Sequence, residues 1–327
     1  MNSYQTPPMP GAGGLAFRPL EPADSHPWLE LIERIAEAEA AVWHEQASDL
    51  AEVFGSEEDP VALNTVVGVD AGGVPRAYAY VSKSPGGEWG HAFGGVDPKW
   101  QRRGIGSALL AWQEGLLRAR FAADGQGQVR VRSYTAEANP AHTGLLTRAG
   151  YAVVRYFSEM LRPLDQMPVV GAPPGVVLVP FAPGLGEAVR LAHNEAFADH
   201  WGSEPRSPHK WAFLLDHENF RPDLSTVALD GTTGEVAGYQ MSMHDPLRLA
   251  TVGRREGYTE ILGVRRAWRG RGVAPALLAD AMARFKASGM DYACLDVDSE
   301  NPTGALRLYE HMGYTPLRRT LAWDKPL

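Results

Sequence analysis

Two short segments set glycines beside arginines where an apolar strand pattern gives way to a helical one: Gln101-Arg102-Arg103-Gly104-Ile105-Gly106 and Arg269-Gly270-Arg271-Gly272-Val273-Ala274. Glycine has no Cβ to keep backbone amides away from a ligand. The start of a helix offers free N–H groups and the positive end of its dipole, and arginines add charge beside it. The chemistry is therefore binding of a phosphate or pyrophosphate. No Gly-x-x-x-x-Gly-Lys-Ser/Thr run occurs, and Leu109 or Leu277 stands where a dinucleotide fold needs its third glycine, so neither a P-loop nor a Rossmann site fits. A basic glycine turn without a ligand is the alternative, and recurrence of the turn weighs against it.

The recurrence is regular. Gly95 to Gly106 parallels Gly263 to Ala274 at an offset of 168 (272 minus 104), and Asn139-Pro140 and Gly150-Tyr151 return as Asn301-Pro302 and Gly313-Tyr314 at offsets of 162 and 163. Two landmarks in one order predict two tandem domains. Leu109, Leu110, Gln113, Leu116 and Leu117 follow helical spacing, as do Leu277, Leu278, Ala281, Met282 and Phe285, so each turn opens an amphipathic helix. Short strands are expected at Ala16 to Leu20 and Val177 to Phe181, each before a helix. Further strands are expected near Ser225 to Leu229, Val236 to Met243, Tyr258 to Val264 and Tyr292 to Asp298, with a helix from Pro302 to Met312. This order indicates an α/β (α+β) class, a mixed, mostly antiparallel sheet flanked by helices in each copy. The expected division is a flexible tail at 1–14, a first domain at 15–164, a proline-rich linker at 165–175 and a second domain at 176–327.

The 327 residues suit two domains, and 44% hydrophobic with 21% charged residues indicates an ordinary globular protein. A formal charge of -8 argues against a nucleic-acid or membrane-surface binder. No signal or membrane-spanning pattern occurs, so a cytoplasmic location is expected. The one cysteine, Cys294, lies in an apolar run and reads as a buried structural thiol. Histidines lack metal-ligand spacing, so no metal is expected.

The Gln/Arg-x-x-Gly-x-Gly/Ala turn after a strand ending in Val96 or Val264, followed by Asn139 or Asn301 and a Gly-Tyr, resembles the GCN5-related N-acetyltransferases over most of both halves. The tandem arrangement is similar to mycothiol synthase-like actinobacterial double-domain acetyltransferases. The resemblance implies acetyl-CoA as co-substrate, with its pyrophosphate on Gln101 to Gly106 or Arg269 to Ala274. It implies a pantetheine arm along Val96, or Leu262 and Val264, within reach of Asn139 or Asn301.

The resemblance also nominates Glu260 as general base and Tyr309 as general acid. An alkyl ammonium, with a pKa of about 10, must lose a proton before attack, and a departing thiolate of about 8.5 needs one. Strand alternation places Tyr258, Glu260 and Leu262 on one face. Shifting by the offsets puts Ala92 at the place of Glu260 and Leu146 at that of Tyr309, with His91 turned to the opposite face. The second copy is thus expected to be the enzyme and the first a catalytically degenerate, cofactor-binding or scaffold domain.

Phe197, Asp199, His200, Trp201 and Tyr258 are expected to meet the acceptor, a small-molecule amine; Glu204, Trp211, His244 and Asp245 lie in the same region. A monomer or homodimer is expected. A non-catalytic acyl-CoA sensor, and an acyltransferase using another acyl chain or a hydroxyl acceptor, remain open at this level.

Overall fold

The structure, a computed structural model, describes residues 4–42, 45–84, 86–301 and 304–327. It divides into two compact units, Met1–Tyr156 with Arg319–Leu327, and Phe157–Arg318.

In chain order the elements are β1 (Ala16–Arg18), α1 (Ser25–Glu39), α2 (Ala47–Gly55), α3 (Val61–Asn64), β2 (Thr65–Val69), β3 (Pro75–Ser82), β4 (Trp89–Val96), α4 (Ile105–Ala123), β5 (Arg130–Ala136), α5 (Pro140–Arg148) and β6 (Ala152–Pro163). There follow β7 (Val176–Pro180), α6 (Gly186–Ala196), α7 (Pro208–Asp216), β8 (Thr226–Asp230), β9 (Val236–Met243), α8 (Arg248–Val252), β10 (Glu256–Val264), α9 (Val273–Ala287), β11 (Tyr292–Asp298), α10 (Ala305–His311) and β12 (Thr315–Pro326). The helix expected from Pro302 is described from Ala305; Pro302 itself lies outside the described residues.

The first unit orders its strands β1-β2-β3-β4-β5-β12 and the second β6-β11-β10-β9-β8-β7. Pairing is antiparallel throughout except for one parallel pair in each unit, β4 with β5 and β10 with β11. Each sheet buries both faces: Val66 joins the cluster under α4 while its neighbour Val67 joins that under α1, and Val227 and Ala228 divide likewise in the second unit. The periodic leucines of α4 and α9 form these cores, with Leu116, Leu117, Leu277 and Leu278 fully buried.

Two boundaries differ from the spacing-based expectation. Strand β6 runs unbroken to Pro163 and pairs Phe157–Pro163 with β11, while Thr320–Pro326 of β12 pair with β5. Residues 157–163 therefore complete the second sheet and the last nine residues the first. The proline-rich stretch 164–175 is irregular, as missing donors dictate, and lies inside the second unit rather than between units. The segment expected as a flexible tail packs down from Tyr4 onward: Tyr4 and Ala12 cover the α4 cluster, and Pro7 reaches the small surface of Gly115. Met1 to Ser3 lie outside the described residues.

Candidate functional site

Both glycine turns enter their helices through a left-handed residue, Gly104 at φ 78° and Gly272 at φ 84°, and neither helix start receives a side-chain cap. Nothing lies within 4 Å of where a Cβ on either glycine would stand. Uncapped first-turn N–H groups are suited to an anion, and the pyrophosphate of a coenzyme A thioester is a group that they could hold. Two residues earlier, Gly270 takes φ 71° in the second unit, whereas Arg102 takes φ 64° in the first. An arginine there carries about 1–2 kcal/mol of strain, so its loop stores strain that the glycine copy avoids.

The arginines divide their labour. Arg103 stacks over Trp100 at 4.4 Å and Arg271 over Trp268 at 5.1 Å, the same brace in each copy. Arg269, expected to add charge for phosphate, instead donates to the carbonyls of Val264 (3.2 Å) and Ala196 (2.8 Å) and ties the turn to β10 and α6. In the first unit, Val96, Gln101, Arg102, Gly104, Ile105 and Gly106 line a cavity of about 400 Å³. Asn139 is not among its walls; its side chain accepts from the His142 N–H at 3.0 Å and caps α5. Glu39 and His142, unnoticed in the sequence, also line it. Burial pushes the Glu39 carboxyl up, against a hydrogen bond from Asn139, and the His142 imidazole down.

The second unit opens its sheet at a fork. Parallel pairing of β10 with β11 runs from Glu256↔Tyr292 to Thr259↔Leu295 and stops. Glu260 and Asp296 are the next residue on each strand. At the same point the register of β9 with β10 slips between Thr259 and Ile261, making Glu260 the extra residue of a β-bulge. This corrects the expected alternation. Tyr258 and Ile261 join the core beneath α6 and α7, whereas Leu262 and Val264 pack toward α9. The inserted residue resets the period, so Tyr258, Glu260 and Leu262 do not share a face. Glu260 is exposed.

Across the fork the Tyr258 hydroxyl donates to Asp296 Oδ2 at 2.7 Å. Burial, then the charges of Asp296 and Glu260, hold this phenol far above its ordinary range. Loss of water around its oxygens likewise raises the Asp296 carboxyl, although the residue as a whole is exposed, and the Tyr258 hydrogen bond offsets this in part. Asp296 escaped the sequence reading, although alternation from the buried Cys294 would have put it on the same face. Behind it, Arg248 donates to Glu159 Oε1 (2.9 Å) and Glu256 Oε2 (2.6 Å), and Arg318 Nε stands 3.3 Å from Glu159. Ligand atoms of Glu159, Glu256 and Cys294 all lie within 4.8 Å of one another, and the Arg248 guanidinium supplies their positive charge. Cys294 is fully buried and burial pushes its thiol up, as expected of a structural cysteine.

The first unit builds a different fork. Its β3–β4 register is continuous from Ala77↔Val96 to Ser82↔His91, without a bulge. Gly90 abuts Leu117 of α4 as Gly257 abuts Phe285 of α9. Before the bulge the copies are therefore offset by 167 (257 minus 90). Thr259, not Glu260, corresponds to Ala92; Tyr258 corresponds to His91; and Glu260 has no counterpart. His91 stacks on Tyr134 at 6.2 Å where Tyr258 meets Asp296, and Ser133 Oγ donates to the Ala92 carbonyl at 3.2 Å. The alignment of Leu146 with Tyr309 is matched by the backbone: Tyr151 N–H donates to Leu146 O and Tyr314 N–H to Tyr309 O, both at 3.0 Å.

Tyr309 is 8% exposed beside Tyr314, and burial pushes its phenol up to about 12. Asn301 donates its N–H to Asp298 O at 3.1 Å, at the end of β11. Of the expected acceptor residues, Trp201 leans on Phe157 at 6.2 Å, and β6 places Phe157 two positions from Glu159 and so on its face, opposite Asp298. Phe197 stacks on His193 at 4.5 Å and His200 lies 5.3 Å from Phe197. Asp199 is drawn to Arg266 (2.5 Å), and Trp211 is a core residue, 2% exposed. His244 Nδ1 contacts Glu256 O at 3.1 Å, and Asp245 accepts from Leu247 N–H.

Residues 187–314 match the family described as "Acetyltransferase (GNAT) family". A mycothiol acetyltransferase of Thermobispora bispora is 30% identical over 302 residues, covering 90% of this chain and 93% of that one. Among solved structures, a GCN5-related N-acetyltransferase from Sphaerobacter thermophilus superposes with a TM-score of 0.71 at 27% identity, covering 98% and 97%. A tandem GNAT protein from the clavulanic acid biosynthesis pathway gives 0.68 at 19%, covering 95% and 98%, and shares the fold. Among the described residues no helix is long and apolar enough to cross a membrane.

Proposed function

The chain belongs to the acetyltransferase (GNAT) family and is an N-acetyltransferase; from that premise we propose that its second unit moves an acetyl group to a primary amine of a small molecule by direct attack. The observation that carries this reading is the fork in the sheet, where a bulge turns Glu260 into reach of solvent on the strand that leads to the uncapped start of α9. Full-length similarity to a mycothiol acetyltransferase supports a small-molecule acceptor.

Coenzyme A thioester, when bound, supplies the activated acetyl group. The free amides after Gly272 hold its pyrophosphate, and the strand from Leu262 to Val264, unpaired on its β11 side, offers backbone groups to the pantetheine arm. Glu260 receives the proton of the acceptor's ammonium, directly or through water. Tyr309, kept protonated by burial, gives its proton to the departing sulfur. The first unit has an apolar Leu146 in place of the phenol and no counterpart of Glu260, so its cavity suits binding without transfer.

Thiol release from acetyl-CoA with a panel of primary amines tests the proposal. Tyr309→Phe and Glu260→Gln each lower the turnover number in the whole chain, while Leu146→Ala changes it little. Tight acetyl-CoA binding with no turnover for any amine would instead support an acyl-CoA sensor.

A further inference from the structure

Asp296 sits one residue past the last parallel pair of β10 with β11, opposite the bulge. It is the next outward carboxylate on the face that carries Glu159, its antiparallel partner on β6. The two differ in how their charge is met. Glu159 is paired with Arg248 and Arg318, whereas Asp296 makes no ion pair among the described residues and accepts only from the neutral hydroxyl of Tyr258. That bond occupies one oxygen, Oδ2, and fixes the carboxylate, while the residue as a whole remains exposed. A carboxylate oriented by a buried phenol, with the nearby guanidiniums of Arg248 and Arg318 ion-paired to Glu159 rather than to it, keeps an oxygen for a positive group from outside. The first unit, whose fork lacks the bulge, places the His91–Tyr134 stack at the same two positions and has no carboxylate there. The carboxylate and the bulge thus occur together in one copy and are absent together in the other.

We propose that Asp296, held by Tyr258, binds the ammonium group of the acceptor at the fork and makes the second unit selective for cationic amines over neutral alcohols. This rests on the second unit being the catalytic one. Asp296 forms the ion pair; the proton then leaves the bound ammonium for Glu260, and the neutral nitrogen attacks the acyl carbon. Phe157 and Trp201, on the same side, offer an apolar wall for the body of the acceptor.

The test uses the whole chain with acetyl-CoA and three amines, ethanolamine, putrescine and glucosamine, alongside glucose as the neutral analogue of the last. Asp296→Asn is expected to raise KM for the amine about tenfold or more while kcat and KM for acetyl-CoA change little. Tyr258→Phe, which frees but does not remove the carboxylate, raises the amine KM less. With the protein loaded with coenzyme A, calorimetry should show glucosamine binding more tightly than glucose, with the difference lost in Asp296→Asn. The wild-type amine KM should also rise as pH falls and Asp296 protonates, and the variant should lose this limb. The groups facing Asp296 are Tyr258 of β10, Glu159 of β6, Arg248 of α8 and Arg318 of β12, none of which the substitution removes.

An unchanged amine KM in Asp296→Asn, or no saturable binding of any of the three amines to the wild type, overturns the proposal. If Glu260→Gln and Tyr309→Phe lower kcat while Asp296→Asn keeps the wild-type KM, only the role of Asp296 falls. If all three variants turn over as the wild type does, the catalytic assignment of the second unit falls with it.

Discussion

Gly263 of β10 stands directly across from Tyr239 of β9, and a Cβ on it would lie 2.5 Å from the tyrosine ring and hydroxyl. Gly95 faces Tyr78 in the same way, its would-be Cβ 3.0 Å from the ring. The Gly-Val pair that marks the repeat in the sequence is thus a packing requirement at the end of the strand. Tyr239 cannot yield easily: it is fully buried and its hydroxyl is 2.7 Å from His193 Nδ1.

Gly263→Ala is therefore expected to destabilise the second unit by about 1–3 kcal/mol, the ordinary cost of overpacking a filled site. Urea denaturation followed by a probe in that unit checks this. A wild-type midpoint would mean that the ring moves aside.

Tyr309→Phe should lower kcat by about 10²-fold at neutral pH, in line with the worth of a positioned acid. Because burial pushes the phenol up to about 12, wild-type kcat should show no high-pH decline attributable to this group below about pH 10. A free thiolate of pKa about 8.5 leaves unaided once pH exceeds that value, so the deficit of the variant should shrink there. A pH profile of the two enzymes decides it.

His193 gives a separate pH signature in stability. Burial first, then the charges of Arg206 and His200, lower its imidazole to about 4, below the unfolded value of about 6.5. Between these values the unfolded chain binds the extra proton, so this contribution is complete above pH 6.5 and is lost as pH falls toward 4, by up to about 3 kcal/mol. His193→Gln should flatten that slope in denaturation midpoints measured from pH 7 to 4.

Much of this architecture was legible because it repeats. The glycine turns, the leucine faces of α4 and α9, and the Leu146–Tyr309 correspondence follow from periodicity and constant offsets. The bulge was not legible, since one inserted residue alters no composition or apolar pattern, yet it reverses the face of everything beyond it; reading Tyr258, Glu260 and Leu262 as neighbours failed for that reason. Asp296 was hidden because its meaning depends on where β10 and β11 part, a long-range register that no local window contains. Arg269 shows the converse: its type suggested phosphate, and two carbonyls already hold it.

The place of the last nine residues can be probed by stopping the chain at Arg318. The second unit should keep its cooperative transition and its urea midpoint, because none of its residues lies beyond Arg318. The first should lose stability, since β5 forfeits its partner β12 along Arg130–Ala136 and exposes an unpaired edge. Loss of the second unit's transition instead would overturn this division.

The same pairing dictates a birth order. A ribosome that has made residues 1–156 must add the whole second unit, at about 5–20 residues per second, before β12 emerges. For roughly ten to thirty seconds the older half of the protein waits with β5 unpaired on one side, and the younger half, whose own strand β6 is already made, is the first to be finished.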